Sequence, residues 1–242
     1  MGIYDETVEV SRRMMVLFFL IDTSSSMIGS KIGTVNQALE EVIPEIKKIS
    51  RENADAEIKI AALTFSSGAE WLSPAPEEAE SFYWNYVDAN GMTDLGEALS
   101  MLNEKLSRNA FMQSVSGSFA PAIFLMSDGA PTDDYKRSLN ELKQNRWFQK
   151  AIKVAVAIGD DADQGVLAEF TGNTEAVITA HTPEALTKMI RFVSVTASQI
   201  GSKSSGVGGG NIDSIQSKQD DMIQQIQQNS ASFASEGENA QW

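Results

Sequence analysis

One stretch of the sequence decides the fold: the apolar run MMVLFFLI at residues 14–21, followed directly by DTSSS at residues 22–26. This apolar run is too short to span a membrane and predicts a strand that is buried on both faces. Open α/β sheets place their sites in the loops at the carboxyl ends of such strands. The loop here carries the carboxylate of Asp22 and the hydroxyls of Ser24 and Ser26. These oxygen atoms are hard donors of the kind that Mg²⁺, Mn²⁺ or Ca²⁺ prefers.

Strands and amphipathic helices alternate along the following sequence. The apolar patterns predict further strands at 57–65, 122–128, 152–158 and 176–179, and helices at 32–49, 95–106, 135–147, 163–170 and 183–197. Pro44 predicts a kink or a break in the first of these helices. This alternation predicts an α/β fold, a doubly wound, mostly parallel central sheet with helices on both faces.

Composition and charge exclude several classes of function. The 242 residues carry a formal net charge of -14, which disfavours binding to nucleic acids and to anionic membranes. The chain has no cysteine, so disulfides, thiolate catalysis and zinc–thiolate sites are excluded. No signal peptide or membrane span is predicted, and the expected location is therefore the cytoplasm.

The sequence pattern divides the chain into three parts. Residues 1–13 are a polar lead-in, and residues 14–198 form the α/β domain. Residues 199–242 are expected to be a flexible Gly/Ser linker and a C-terminal tail with a possible weak helix, because Gly and Ser dominate its first part.

Two later strand ends carry further oxygen donors. Thr93 lies in the loop GMTD at residues 91–94, and Asp128 follows the apolar strand that begins at Ala122. We expect both to meet the loop of Asp22 at one edge of the sheet, where a cation would relieve repulsion between the two carboxylates. In the alternative interpretation, the hydroxyls only cap helices and stabilise loops.

Together these residues resemble the metal-ion-dependent adhesion site of von Willebrand factor A domains, over roughly residues 14–197. The resemblance implies that Ser24, Ser26 and Thr93 contact a metal ion directly or nearly so, and that Asp22 and Asp128 act largely through bound waters. It also implies that one coordination position stays open for an acidic residue of a protein partner. Magnesium is the expected ion, with Mn²⁺ or Ca²⁺ possible. The family usually has Gly where this chain has Ser25, which is not a ligand position.

A narrower resemblance is to bacterial tellurium-resistance-associated A-domain proteins of the TerY type. It rests on the segments DTSSSM (22–27), VNQAL (35–39), LTF (63–65), TDLG (93–96), SDGAPTDD (127–134), AIGDDAD (157–163) and FVS (192–194). The resemblance implies a non-enzymatic binding module in stress or defence signalling, with a PP2C-type phosphatase or a protein kinase as partner.

Two rival functions remain open. The first is a Mg²⁺-dependent phosphohydrolase that uses Asp22 as nucleophile; against it, such enzymes carry Asp at the position of Ser24, and no lysine lies in these loops to hold phosphate. The second is a structural subunit of a larger assembly, in which the metal only stabilises the loops.

Three other features have local alternatives. The acidic run at residues 160–163 is either a second cation site or, as we expect, a helix cap; Asp133 and Asp134 are expected to cap the helix after Asp128. The aromatic cluster at residues 82–86 either lies beside the metal as partner anchors or packs in the core. His181, the only histidine, is expected to be an ordinary surface or helix-start residue.

Overall fold

The computed structural model describes residues 12–112, 117–203 and 219–228. Residues 1–11 of the predicted lead-in and most of the linker and tail therefore lie outside the described residues, whereas Arg13 already belongs to the first strand. Within them, none of the helices is long and apolar enough to cross a membrane.

The predicted fold class is confirmed. Seven strands form one mixed, mostly parallel sheet in the described residues: β1 Arg13–Asp22, β2 Ala56–Ser66, β3 Gly68–Trp71, β4 Glu77–Glu78, β5 Ala122–Ser127, β6 Ile152–Ile158 and β7 Val177–Ala180. Their order is β3-β2-β1-β5-β6-β7, and β4 pairs with β2. Only β3 and β4 run antiparallel, both against β2.

Strand β1 is the centre of the sheet and is buried on both faces, as its apolar run predicts. Met15, Leu17, Phe19 and Ile21 pack into one hydrophobic cluster, and the alternate residues of the strand pack into a second cluster on the other face. The chain leaves β1 toward β2 on one side and returns through β5 on the other side. The carboxyl end of β1 is therefore a topological switch point, where sheets of this kind bind ligands.

The helices cover both faces of the sheet. They are α1 Ser30–Glu52, α2 Leu95–Lys105, α3 Tyr135–Leu142, α4 Arg146–Lys150, α5 Gln164–Thr171 and α6 Pro183–Lys203. The first and last of these pack on one face, and the other four pack on the opposite face. Two short 3₁₀ turns, Ser25–Met27 and Thr174–Ala176, complete the connections.

Four local expectations differ from the structure. Helix α1 continues through Pro44, so of the kink or break expected there the break is absent. Two short strands, β3 and β4, lie outside the strands that the sequence predicts. The helix expected over 135–147 is divided into α3 and α4, because the side chain of Asn145 accepts hydrogen bonds from the first amides of α4.

The fourth difference concerns the C-terminal part. Helix α6 extends to Lys203, whereas the sequence predicts that the linker begins at residue 199. Residues 219–228 form a further helix, α7, whose Met222 and Ile226 are buried in the cluster that α1 and α6 cover. The Gln219 side chain donates to the carbonyl of Lys153 at 2.9 Å and accepts from its N–H at 3.0 Å. Pairing of β6 with β7 begins at Ala155, so these two bonds satisfy backbone groups of Lys153 that lie before the paired part of β6.

Candidate metal centre

Asp22 ends β1 and is fully buried at the switch point. Its Oδ1 accepts a hydrogen bond from the N–H of Ser24 at 2.9 Å, and its Oδ2 accepts one from the hydroxyl of Ser127 at 2.5 Å. Ser127 in turn accepts from the N–H of Gly129 at 2.7 Å, which fixes its orientation. Burial raises the pKa of Asp22, while the hydrogen bonds from Ser127 and Ser24 oppose this shift.

Ser24 and Ser26 lie beside this carboxylate with their hydroxyl oxygens 2.9 Å apart. Ser24 is buried and Ser26 is exposed, so the pair leads from the carboxylate toward solvent. Met27, fully buried, anchors the 3₁₀ turn that carries Ser26. The Ser24 hydroxyl makes no capping hydrogen bond to this turn, although it occupies the capping position.

Hydrogen bonds between backbones hold the loop of Thr93 against the loop of Asp22. The N–H of Ser25 donates to the carbonyl of Gly91 at 3.1 Å, and the N–H of Asn90 donates to the carbonyl of Thr23 at 2.8 Å. Thr93 itself is buried and precedes α2. The loop does not follow directly on a strand, as was expected, because β4 ends at Glu78; these backbone bonds nevertheless hold it at the same edge of the sheet as the end of β1.

The loop after β5 is joined to the other side of Thr93. The N–H of Thr132 donates to the Thr93 carbonyl at 2.8 Å, and the Thr132 hydroxyl accepts from the Thr93 N–H at 2.9 Å. Asp128, buried in this loop, lies next to Ser127, the hydrogen-bond donor to Asp22. The structure thus brings the loops of all five predicted ligands, Asp22, Ser24, Ser26, Thr93 and Asp128, to one edge of the sheet.

Asp128 has one oxygen paired and one oxygen without a partner. The ammonium of Lys31 lies 3.2 Å from Oδ2, whereas Oδ1 is buried and has no hydrogen-bond partner. An unpaired buried carboxylate oxygen costs free energy, so a cation at this point would be stabilising. The observation fits a metal ligand, acting directly or through water.

The sequence pattern did not indicate Lys31 as a site residue, because it lies on α1 rather than in the site loops. It lies in the first turn of α1 and also pairs with Asp161, at 2.7 Å. Burial alone would lower the pKa of Lys31, but the hydrogen bonds to Asp161 and Asp128 outweigh it and raise the pKa above its ordinary value. The same bond from Lys31 lowers the pKa of Asp161.

The neighbouring acidic residues are helix caps and ion-pair partners. Asp163 caps α5, as expected, by accepting from the first amides of the helix. Asp133 does not cap α3: its carboxylate accepts from Gly96 and Glu97 at 2.9 and 3.0 Å and caps α2 instead. Asp134 occupies the capping position of α3 without a side-chain bond, and Asp160 pairs with His181 at 3.2 Å.

The donor set at the site combines carboxylates with hydroxyls. No group of three or more Asp, Glu, His or Cys residues suited to a metal ion occurs in the described residues. Asp22 and Asp128 contribute two carboxylates, and Ser24, Ser26 and Thr93 contribute three hydroxyls. A set of this kind suits a hard divalent ion that keeps several waters.

The aromatic cluster is divided between the core and the surface of α1. Phe82 is buried in the core, and the indole of Trp84 donates to the Asn36 side chain on α1 at 3.1 Å. Tyr83 is exposed and lies under the ammonium of Lys47, 4.3 Å from the ring centroid. The exposed apolar residues in the site loops are Ile28, 61% exposed, and Met92, 54% exposed.

Comparison with known proteins identifies the family of the chain. The sequence model for the von Willebrand factor type A domain matches residues 17–192. The chain belongs to this family. The matched part of the A domain contains the carboxyl ends of β1 and β5 and the loop before α2. No sequence among curated proteins matches the chain.

Several solved structures share the fold of this A domain. A von Willebrand factor type A protein from Catenulispora acidiphila is 17% identical with a TM-score of 0.56, covering 77% of this chain and 43% of that one. Proximal thread matrix protein 1 of the mussel byssus, in a form whose metal-ion-dependent adhesion site is occupied by zinc, is 13% identical with a TM-score of 0.55, covering 77% and 48%. BatB from Bacteroides thetaiotaomicron is 12% identical with a TM-score of 0.52, covering 76% and 98%. At these identities the similarity establishes the fold alone, and the chain matches under half of the first two proteins.

Proposed function

We propose that this A domain is a protein-binding module that depends on a divalent metal ion held by Asp22, Ser24, Ser26, Thr93 and Asp128. The buried Oδ1 of Asp128 carries the proposal, because it has no hydrogen-bond partner, whereas Oδ2 is paired with Lys31. The zinc in the adhesion site of the mussel protein supports a divalent ion in a related fold. Magnesium suits the oxygen donors best, and Mn²⁺ or Ca²⁺ would also fit them.

The hydroxyls have no competing role as helix caps. Ser24 makes no capping bond to the following turn, and the residue at the capping position of α2 is Asp94 rather than Thr93. The capping part of the alternative interpretation therefore has no support, whereas the 2.9 Å contact between the Ser24 and Ser26 hydroxyls is compatible with its other part, a role in stabilising the loop. Their oxygens are available to a cation, as the family resemblance implies.

Recognition of the partner would be electrostatic. Asp22 and Asp128 would hold the ion, and the ion would supply positive charge that attracts a carboxylate of the partner. Ile28 and Met92 add exposed apolar surface on the two loops that flank the ion. Because the chain carries a net charge of -14, the rest of the partner surface should be neutral or basic.

The partner that we propose is a PP2C-type phosphatase or a protein kinase, in cytoplasmic stress or defence signalling. The TerY-type segments, among them residues 22–27 and 127–134, support this choice. Both segments lie in the loops of the proposed metal site, so the partner and the ion would be recognised on the same surface.

A phosphohydrolase is the second candidate, because Lys31 reaches Asp128 and could hold a phosphate. Against it, such enzymes carry Asp where this chain has Ser24, and the ammonium of Lys31 is already paired with Asp128 and Asp161. Turnover of a generic phosphate ester such as p-nitrophenyl phosphate in Mg²⁺ would support the enzyme; we expect none.

The proposal is tested by affinity capture of the candidate partner with Mg²⁺ and with EDTA. We expect capture by the wild-type chain in Mg²⁺ only, and none by Asp22→Ala. Ser25→Gly, which changes the same loop to the residue usual in the family, should capture normally. Capture that persists in EDTA would contradict the proposal. If Ser24→Ala lowers the melting temperature but leaves capture intact, the metal is structural and the chain is a subunit of a larger assembly.

A further inference from the structure

Lys31 is positioned by several features that an ordinary surface lysine lacks. Its side chain is only 12% exposed, and its ammonium lies between Asp128 and Asp161, 3.2 and 2.7 Å from their oxygens. Its stem passes over Gly159, where an added Cβ would lie 2.7 Å from the Lys31 Cε. A positive charge in the first turn of a helix is also unfavourable to the helix dipole, so the contacts to the two carboxylates must offset that cost.

The charge of Lys31 conflicts with a divalent ion at the same face. Asp128 offers Oδ2 to Lys31 and leaves Oδ1 without a partner. A divalent ion that shares this carboxylate would repel the ammonium beside it, and the repulsion is strong where water is excluded. Asp161, whose side chain is 72% exposed, already accepts from Lys31 and lies outside the five-ligand set.

We propose that Lys31 is a built-in cation that holds Asp128 when the divalent ion is absent and pairs with Asp161 alone when the ion binds. This inference rests on the proposed metal site. Binding of the ion then requires loss of the Lys31–Asp128 contact, so Lys31 lowers the affinity for the ion and Asp161 raises it. The contact also couples occupancy of the site to the turn after β6, which carries Asp161.

The test is calorimetric titration of Mn²⁺ into metal-stripped protein at constant pH. Lys31→Met keeps the stem and removes the charge; we expect it to bind Mn²⁺ about tenfold more tightly than the wild type, the effect of losing one charged hydrogen bond. Its control is Lys48→Met, also on α1, where the lysine is 70% exposed and paired with Glu52. This control removes the same charge from the chain without touching the site.

Asp161→Asn should change the affinity in the opposite direction. Asp161→Asn removes the carboxylate that pairs with Lys31 when the ion is bound. We therefore expect this variant to bind Mn²⁺ severalfold more weakly than Asp160→Asn, a neighbouring control with the same change of charge. In a chain that already carries Lys31→Met, the effect of Asp161→Asn should disappear. This dependence of one substitution on the other distinguishes a specific movement of Lys31 between the two carboxylates from a general change in the electrostatic potential at the site.

The outcomes separate the two proposals. Equal affinities in Lys31→Met and Lys48→Met, with binding intact, would overturn the role of Lys31 and leave the metal site in place. Absence of binding in the wild type would overturn both. If Lys31→Met does not fold without metal, the comparison of Asp161→Asn with Asp160→Asn decides, and equal affinities there would overturn the exchange.

Discussion

Replacing Ser127 with Ala tests how the protein holds a buried charge at the end of β1. Ser127 is fully buried, donates to Asp22 Oδ2 at 2.5 Å and accepts from the Gly129 N–H at 2.7 Å. Loss of a hydrogen bond to a charged group costs about 1.5–3 kcal/mol, and the Gly129 donor left unpaired adds about 1–3 kcal/mol. We therefore expect Ser127→Ala to lower the free energy of unfolding by about 3 kcal/mol or more.

The assay is urea denaturation in EDTA, followed by fluorescence and circular dichroism. Ser100→Ala is the control, because this hydroxyl pairs at 3.0 Å with Ser138 in a partly exposed position; its loss should cost less than about 1 kcal/mol. In an Asp22→Asn background the cost of Ser127→Ala should fall, since the charge has gone. A cost below about 1 kcal/mol in the wild-type background would refute this account of Asp22.

Three further predictions concern residues outside the metal site. Asp133→Ala should lower the free energy of unfolding by about 1 kcal/mol because it uncaps α2, whereas Asp134→Ala, which loses no cap bond, should change it little; a difference in urea midpoints checks this. Met222→Ala should cost about 2–5 kcal/mol if α7 is packed in solution, with exposed Gln224→Ala as its control; equal melting temperatures would contradict the packing. Burial lowers the pKa of Lys153 from 10.5 to about 8, so the folded chain releases this proton at a lower pH than the unfolded chain does. The free energy of unfolding should therefore rise as the pH increases from about 8 to 10.5, and Lys153→Met should remove this pH dependence.

The sequence predicts best what depends on local pattern. The apolar run of β1 and the periodic stripe of α1 indicate their elements directly, and both lie where they were expected. The alternation of such elements predicts the sheet class, which is confirmed. The loops of Asp22 and Asp128 could be predicted to meet because β1 and β5 are parallel and share a carboxyl edge. The loop of Thr93 follows no parallel strand, and its position depends on backbone hydrogen bonds to the loop of Asp22.

The sequence does not predict contacts between distant segments. Strand β3 is four residues long and lacks alternation; it is a strand because β2 pairs with it. Lys31 reaches Asp128, 97 positions away, and no local signal indicates this pair. Helix α7 has few apolar residues, and its position depends on Met222 and on the bonds of Gln219 to β6. The role of Asp133 at α2 is likewise set by the fold rather than by the adjacent helix.

The central claim is that one divalent ion binds at the ends of β1 and β5, and titration of metal-stripped protein with Mg²⁺ or Mn²⁺ tests it most directly. We predict that each chain binds one ion and that a chelator releases it. Binding should be abolished in Asp128→Ala, and its affinity should be strongly reduced in Ser24→Ala. Ser25→Gly, in the same loop but outside the ligand set, should bind normally. No binding by the wild type, or equal binding by Asp128→Ala, would contradict the account.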